Sequence, residues 1–436
     1  MHSDNTDTKE VKMKEIRVAI IGAGVISHRH MVIYENIQKN AHLLGFTARV
    51  VAAAEIDEAK LKAWGEQYGF DNKDLYVDFR EMLKRDDIDT VDVCVHNNLH
   101  TPISIEVMKR GYDCYTEKPA AASYHDAKMM VDCAKKLGRK FHVQISSLMT
   151  SQTRTAKKMI DEGKLGDLYY CNLEHVMRRW RPGLDMRPNW PKQLLSTDFY
   201  SKRVAGHGKS IDIGVYLISQ ILFLMGLPEI DTINGFARQA IPVDERLITN
   251  PDGYGVEDIA DGFCKFTNGI GFHFLSTTAA NTKDYAMTYL LGTKGGFTIK
   301  NTDTYGGKFS TKDGLPPMGL GAPELSFHGE IDGQLVDLDL NCLENGALEA
   351  RLDPTMLLYN DNQCMWLAYK LGILDDTTRY NTPEIACAML KFTDGIFLSE
   401  ELGRSVTGKE IEELSPQLFI PEQQIGSELV RYDIDF

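Results

Sequence analysis

No run in this chain approaches 18 consecutive apolar residues, so none reads as a membrane span. Positive charge is in short supply. The 48 lysines and arginines face 62 aspartates and glutamates, a formal net charge of −14. That deficit argues against nucleic acid and anionic membrane as partners. The eight cysteines (Cys94, Cys114, Cys133, Cys171, Cys264, Cys342, Cys364 and Cys387) are scattered and include no C-x-x-C pair. Several lie inside apolar runs, so they read as buried reduced thiols rather than a disulfide framework. No cluster of ligating side chains with metal-site spacing is visible, so no metal is expected. There is no internal repeat and no low-complexity segment. Met1 to Glu15 is polar and lacks the apolar core of a signal peptide, and a cytoplasmic location is expected.

What is present is an ordinary globular composition, 43% hydrophobic and 25% charged. A length of 436 residues points to two domains, or to one domain with a large elaboration. Residues 1–13 read as a disordered tail. Strand-like apolar runs then alternate with helical segments. The strands are Ile16–Ile21, Arg49–Ala54, Thr90–Val95, Tyr112–Tyr115 and Phe141–Ile145. One helix is expected over Pro102–Lys109, stopped by Gly111. Another is expected over Tyr124–Leu137, with Ser123 as N-cap, Gly138 as stop and Ala127, Met130, Val131, Ala134 and Leu137 on one apolar face. Such alternation implies a doubly wound parallel sheet covered on both faces, over residues 14–147.

Beyond Ile145 the texture changes. A helix over Thr153–Glu162 is followed by strands at Leu168–Val176, Ile230–Arg238, Ile259–Phe266, Ile270–Ser276, Tyr285–Leu291 and Phe297–Lys300. Turns such as Thr267-Asn268-Gly269 and Lys294-Gly295-Gly296 join several of them, which suggests a large, mostly antiparallel sheet. Helices over Ser210–Met225 and Pro383–Leu402 are expected to pack on one face. The unit is an α+β domain over residues 148–406. Arg181–Arg203 and Asp313–Asp353 are aperiodic and read as long loops. Residues 407–436 read as an arm that packs on a neighbour.

The first strand runs into Gly22-Ala23-Gly24-Val25-Ile26-Ser27 and a helix start. Gly22 allows a tight turn, and Gly24 lets the backbone approach a pyrophosphate at the positive end of the helix, beside Val25 and Ile26. Ser27 takes the third position of G-x-G-x-x-G and is small enough for helix–strand packing. Glu55 ends the second strand. A carboxylate there can accept hydrogen bonds from the adenosine ribose and repel a 2′-phosphate, which favours NAD over NADP; the alternative is a solvated surface glutamate. Gly24 to Glu55 is longer than the usual twenty or so residues, and the excess fits an insertion around Asn36–Thr47.

Glu117-Lys118-Pro119 follows the fourth main strand, at the edge where open parallel sheets bind ligands. A lysine there can stabilise a developing alkoxide, or can be a solvated turn residue. Asp212 and Tyr216 lie four apart on one helix face, suited to holding a polyol. Tyr216 is a candidate acid/base group if a cation such as Lys118 lies near it. Both also fit a plain helix end. His207, between Gly206 and Gly208, is the competing base.

The order of these pieces resembles the Gfo/Idh/MocA oxidoreductase family. The resemblance spans about Arg17 to Val406. It rests on Gly22-Ala23-Gly24 with His30, Asn97-Asn98-Leu99-His100, Glu117-Lys118-Pro119, Gly163-Lys164-Leu165-Gly166, Asp212-Ile213-Gly214, Gly292-Thr293-Lys294-Gly295 and Ser399-Glu400-Glu401-Leu402-Gly403-Arg404-Ser405-Val406. It implies a Rossmann domain followed by an open-sheet domain often used for oligomer contacts, so a homo-oligomer is expected. It implies oxidation of a sugar or polyol hydroxyl with NAD(P), Lys118 as catalytic lysine and Asp212 on substrate hydroxyls. Gly22, Gly24, Val25, Ile26, Glu55, Asn97, His100, Glu117 and Lys118 are expected around the cofactor. Tyr216 stands where the family's histidine is usual. Arg187 and Trp190 in the long loop suit a sugar ring, which invites a glycoside, with C3 oxidation of a glucoside as one form. An NAD-dependent glycosidase with internally recycled NAD and a non-catalytic NAD-binding regulator are the alternatives.

Overall fold

The computed structural model describes residues 13–178, 201–242, 255–283, 285–300, 324–340, 362–373 and 381–436. Its strands are β1 Lys14–Ile21, β2 Phe46–Ala54, β3 Leu75–Tyr76, β4 Thr90–Val93, β5 Asp113–Thr116, β6 Phe141–Val143, β7 Leu168–Arg178, β8 Ile230–Arg238, β9 Ile259–Phe266, β10 Gly271–Ala280, β11 Tyr285–Gly292, β12 Gly295–Lys300, β13 Glu324–Ile331, β14 Gln334–Asp339, β15 Val406–Thr407, β16 Glu422–Ile425 and β17 Glu428–Arg431. The helices are α1 Val25–Lys39, α2 Ala41–Leu44, α3 Glu58–Tyr68, α4 Phe79–Met82, α5 Asn97–Lys109, α6 Tyr124–Leu137, α7 Ser151–Asp161, α8 Lys202–Ala205, α9 Lys209–Leu224, α10 Asn362–Lys370, α11 Thr382–Leu402 and α12 Gly408–Leu414.

Six parallel strands form the first sheet in the order β3-β2-β1-β4-β5-β6. The order reverses between β1 and β4, which opens a crevice at the carboxyl edge. Register places Ile20, Asp92, Tyr115 and His142 in one row across four strands. Aliphatic strand residues such as Val18, Ile20, Val91 and Val93 are fully buried, as a sheet covered on both faces requires. α6 has the expected bounds, with the Ser123 hydroxyl accepting from the Asp126 N–H and Gly138 in the left-handed region. The long connection between β1 and β2 is an extended α1 followed by the short α2, which accounts for the distance from Gly24 to Glu55.

The second sheet has nine strands in the order β14-β13-β12-β11-β7-β10-β9-β8-β15. Among the described residues of this sheet, only β7 and β10 pair in parallel. α9 and α11 cover one face. The other face exposes Tyr169, Phe263, Tyr285 and Met287.

Three expectations need correction. α5 starts at Asn97, not Pro102, so the proline sits inside the helix. Pro102 cannot donate to the Asn98 carbonyl one turn back. That carbonyl instead accepts the Ile420 N–H at 3.0 Å. The stretch Asp313–Asp353, expected as loop, carries the β13–β14 hairpin, turned at Asp332-Gly333 with both residues at positive φ. Its acidic composition hid an alternation in which Leu325 and Phe327 point inward. The segment after residue 407 packs on its own chain: α12 lies against α11 and β8, and the residues beyond it reach the first domain. Tyr432 stacks on Phe79, the Leu418 N–H donates to Asp126, and Lys109 pairs with Asp433.

Candidate active site

The glycine turn is built as its sequence requires. Gly22 has φ +99°, and a Cβ on it would lie 2.7 Å from the Cys94 carbonyl oxygen. Gly24 has ordinary extended backbone as the N-cap of α1, and a Cβ there would meet nothing within 4 Å. The open space beside Gly24 is therefore available to a ligand. α1 has no side-chain cap and no acidic residue in its first turn. The N–H groups of Gly24, Val25 and Ile26 have no partner among the described residues. A free helix start facing open space fits a pyrophosphate. Ser27 is fully buried, donates to the Gly24 carbonyl at 2.7 Å and accepts from Trp64 Nε1 at 3.0 Å. Glu55 reaches the same turn: its Oε2 accepts the Ala23 N–H at 3.0 Å and its Oε1 the Asp57 N–H at 3.1 Å.

At the end of β5, Lys118 meets the start of α9. Lys118 Nζ donates to Asp212 Oδ1 at 2.7 Å and to the Asp212 carbonyl at 3.1 Å. It also lies 4.9 Å from the centre of the Tyr216 ring. Burial works to lower the Lys118 pKa, but Asp212 and Tyr216 more than offset it, and the ammonium is held well above its ordinary value. Lys118 is thus a fixed cation and donor, not a base. The Ser147 hydroxyl donates to the Tyr216 carbonyl at 2.6 Å. Upstream of α9, the Gly208 N–H lies 2.7 Å from both Glu257 carboxylate oxygens.

Beneath Lys118 lies an ionic cluster that sequence reasoning missed. His30 Nδ1 bonds Asp92 Oδ2 and Nε2 bonds Glu117 Oε1, each at 2.8 Å. Tyr34 donates to Asp92 at 2.8 Å, and the second Glu117 oxygen accepts the Lys118 N–H at 3.0 Å. Burial acts to lower the His30 pKa, but Asp92 and Cys94 overcome it and hold the imidazole well above its ordinary value. Burial, reinforced by Asp92, pushes the Cys94 thiol up to about 12. His30, Asp92 and Cys94 are the one metal-competent grouping among the described residues. A protonated imidazole with both nitrogens bonded is an ion-pair partner, not a ligand. The available signal was Asp92, a charge inside an apolar strand.

Several residues expected around the cofactor serve as braces. Glu117 is spent on His30 and on the Lys118 backbone. His100 is buried with Nδ1 on the Pro119 carbonyl and Nε2 on the Val95 carbonyl, and burial holds its pKa low. Asn97 donates to the Ala205 carbonyl at 3.1 Å. His207 turns to α11: its Nε2 lies 3.2 Å from Asp394 Oδ1, and its ring stacks on Phe397 at 4.3 Å. No bond joins it to Lys118 among the described residues. Arg187 and Trp190 lie outside the described residues.

Comparison with known proteins places the chain in a family. Residues 16–145 match the oxidoreductase family with NAD-binding Rossmann fold, and residues 153–298 match the GFO/IDH/MocA C-terminal domain. The chain belongs to the Gfo/Idh/MocA family of oxidoreductases. It is similar to a D-glucoside 3-dehydrogenase of Escherichia coli, 26% identical over 65% of this chain and 77% of that one. It is 26% identical to a levoglucosan dehydrogenase of Pseudarthrobacter phenanthrenivorans, over 65% and 73%. Among solved structures, a levoglucosan dehydrogenase in complex with NADH superposes with a TM-score of 0.67 at 19% identity, covering 90% of this chain and 99% of that one. An aldose-aldose oxidoreductase from Caulobacter crescentus complexed with glycerol gives 0.62 at 20% identity, over 90% and 100%. At these identities the structures support the shared fold.

Proposed function

We propose that this protein is an NAD-dependent oxidoreductase that oxidises a secondary hydroxyl of a sugar, glycoside or polyol. The observation that carries the reading is the Lys118 ammonium, held by Asp212 beside the Tyr216 ring at the carboxyl edge of the first sheet. Gly22, Gly24, Val25 and Ile26 would hold the pyrophosphate, and Glu55 the adenosine ribose, which favours NAD over NADP. When bound, NAD supplies the acceptor for the hydrogen that leaves carbon with its electron pair. Asp212 orients Lys118, and Lys118 donates to the reacting oxygen and stabilises its growing negative charge. Tyr216, beside the Lys118 ammonium, takes the hydroxyl proton. His207 fits the same role less well, because Asp394 and Phe397 hold its ring.

The names of the two relatives support a sugar or glycoside, with C3 of a glucoside as the finer form. The exposed apolar residues on the outer face of the second sheet support a homo-oligomer. The test is reduced-nicotinamide absorbance with NAD and a panel of glucosides and polyols. Net NADH with one substrate class is the expected result. A released aglycone without net NADH would replace the reading with an NAD-recycling glycosidase. NAD binding without turnover of any member would favour a regulator.

A further inference from the structure

His207, a candidate base in the sequence, is held instead at a junction of four segments. Its Nε2–H donates to Asp394 Oδ1 at 3.2 Å, and its ring stacks on Phe397. The Asp394 side chain is 1% exposed and that of His207 10%. The other Asp394 oxygen accepts the Tyr124 N–H at 2.8 Å and the Ser415 hydroxyl. One buried carboxylate on α11 thus collects donors from the loop before α9, from the first residue of α6 and from the segment after α12. Burying a carboxylate is costly without such donors, and these three come from parts of the chain that no local structure joins.

These contacts close a ring with the candidate active site. From Lys118 the chain runs through the buried Ala120, Ala121 and Ala122 to Tyr124. From Asp212 it runs back through Gly208 to His207. The two stretches are tied at both ends and touch between them. Lys118 holds Asp212 at one end. Gly206 approaches Ala122 so closely that a Cβ on it would lie 2.5 Å from the Ala122 carbonyl oxygen. At the other end Asp394 ties Tyr124 to His207. The Asp212 N–H donates to the Gly208 carbonyl at 3.0 Å, so the first bond of α9 passes the placement of the loop directly to Asp212.

We infer that His207 is a positioning residue: by clamping the start of α9 to Asp394, it keeps Asp212 on the Lys118 ammonium. Its consequence for turnover rests on the dehydrogenase reading above, but the placement of Lys118 can be read without any reaction. The role belongs to Nε2 as a donor and involves no proton transfer at His207. An amide of the right length can therefore replace the imidazole. The glutamine amide nitrogen stands as far along its side chain as histidine Nε2, whereas that of asparagine matches Nδ1 and falls short of Asp394.

The test compares His207→Gln with His207→Asn, two amides of the same chemistry that differ in reach. Acetylation of the folded protein by an amine-reactive ester, read by mass spectrometry at Lys118, reports how firmly Asp212 holds the ammonium. Lys118 is expected to label several-fold faster in His207→Asn and at the wild-type rate in His207→Gln, with the other lysines unchanged in both. Turnover on a panel of glucosides and polyols with NAD is expected to fall by about tenfold or more in His207→Asn, because a slight misplacement of a reacting group costs rate steeply. His207→Gln is expected to retain most of it. Since the effect passes through Lys118, adding His207→Asn to Lys118→Ala is expected to lower turnover no further. Wild-type labelling of Lys118 in His207→Asn, equal labelling in the two variants, or the full further loss in the double variant would overturn the inference. Equal loss of turnover in both variants with wild-type labelling would also overturn it, and would return His207 to proton transfer. A wild type that turns over no member of the panel would sink the dehydrogenase reading, and the labelling comparison would still decide this inference.

Discussion

Glu117 and Lys118 are adjacent in sequence, yet their side chains belong to two differently built ionic clusters. His30 and Asp92 are 1% and 0% exposed, and every polar atom described there is spent on another. Lys118 and Asp212 are 15% and 19% exposed, and the lysine sits against an aromatic face. A sealed cluster cannot receive a substrate and holds geometry; a partly open one has donors left for a reacting oxygen. Glu117 joins them, because its second carboxylate oxygen fixes the Lys118 backbone. The comparison teaches that the cation proposed for catalysis stands on a second charge that is closed to substrate.

The contrast can be broken most strongly from beneath. In His30→Leu, Asp92 and Glu117 lose their shared cation, and an uncompensated buried charge costs about 3–5 kcal/mol, read from urea unfolding at pH 7. A loss below about 1 kcal/mol would mean that the cluster is not ionic. The pH dependence has a definite sign. His30 binds its proton more tightly folded than unfolded, so its stabilisation is complete below the unfolded histidine value near 6.5 and is lost as pH rises through the raised folded value.

Next in size is the open cluster. Lys118→Ala is expected to lower turnover by about 10²–10³-fold, roughly 2.7–4 kcal/mol of transition-state stabilisation, with NAD affinity nearly unchanged in calorimetry. Wild-type turnover in that variant would remove Lys118 from the chemistry. The smallest effect is expected for Asp212→Asn, which weakens a charged hydrogen bond worth about 1.5–3 kcal/mol. Because Asp212 raises the Lys118 pKa, the pH–turnover profile of this variant is expected to lose activity at a lower alkaline pH than the wild type. An unshifted alkaline limb would show that Asp212 does not set the charge on Lys118.

Much of this was legible in the sequence, for local reasons. Ser123 and Gly138 punctuate α6, and Gly22 and Gly24 mark a turn whose needs are set by neighbours in the chain. The pairing of Lys118 with Asp212 across 94 residues was reachable because both sit at element ends where ligands gather. The sealed cluster was not reachable that way. His30 meets Asp92 across 62 residues and Glu117 across 87, and only the parallel register brings them together. In the sequence His30 stands six residues past Gly24 with nothing nearby to name its partners. The β13–β14 hairpin was lost because its charged outer residues outweighed its inner ones.

The proline inside α5 has a consequence for the order of assembly. Pro102 leaves the Asn98 carbonyl one hydrogen bond short, and Ile420 supplies it. Nearby, Lys109 joins Asp433 across 324 residues of chain. A helix of the nucleotide-binding domain is thus completed by residues far along the chain. The nucleotide-binding half can collapse early on its local contacts, but this flank is closed by contacts of very long sequence separation, the kind that form late because loop closure must precede them.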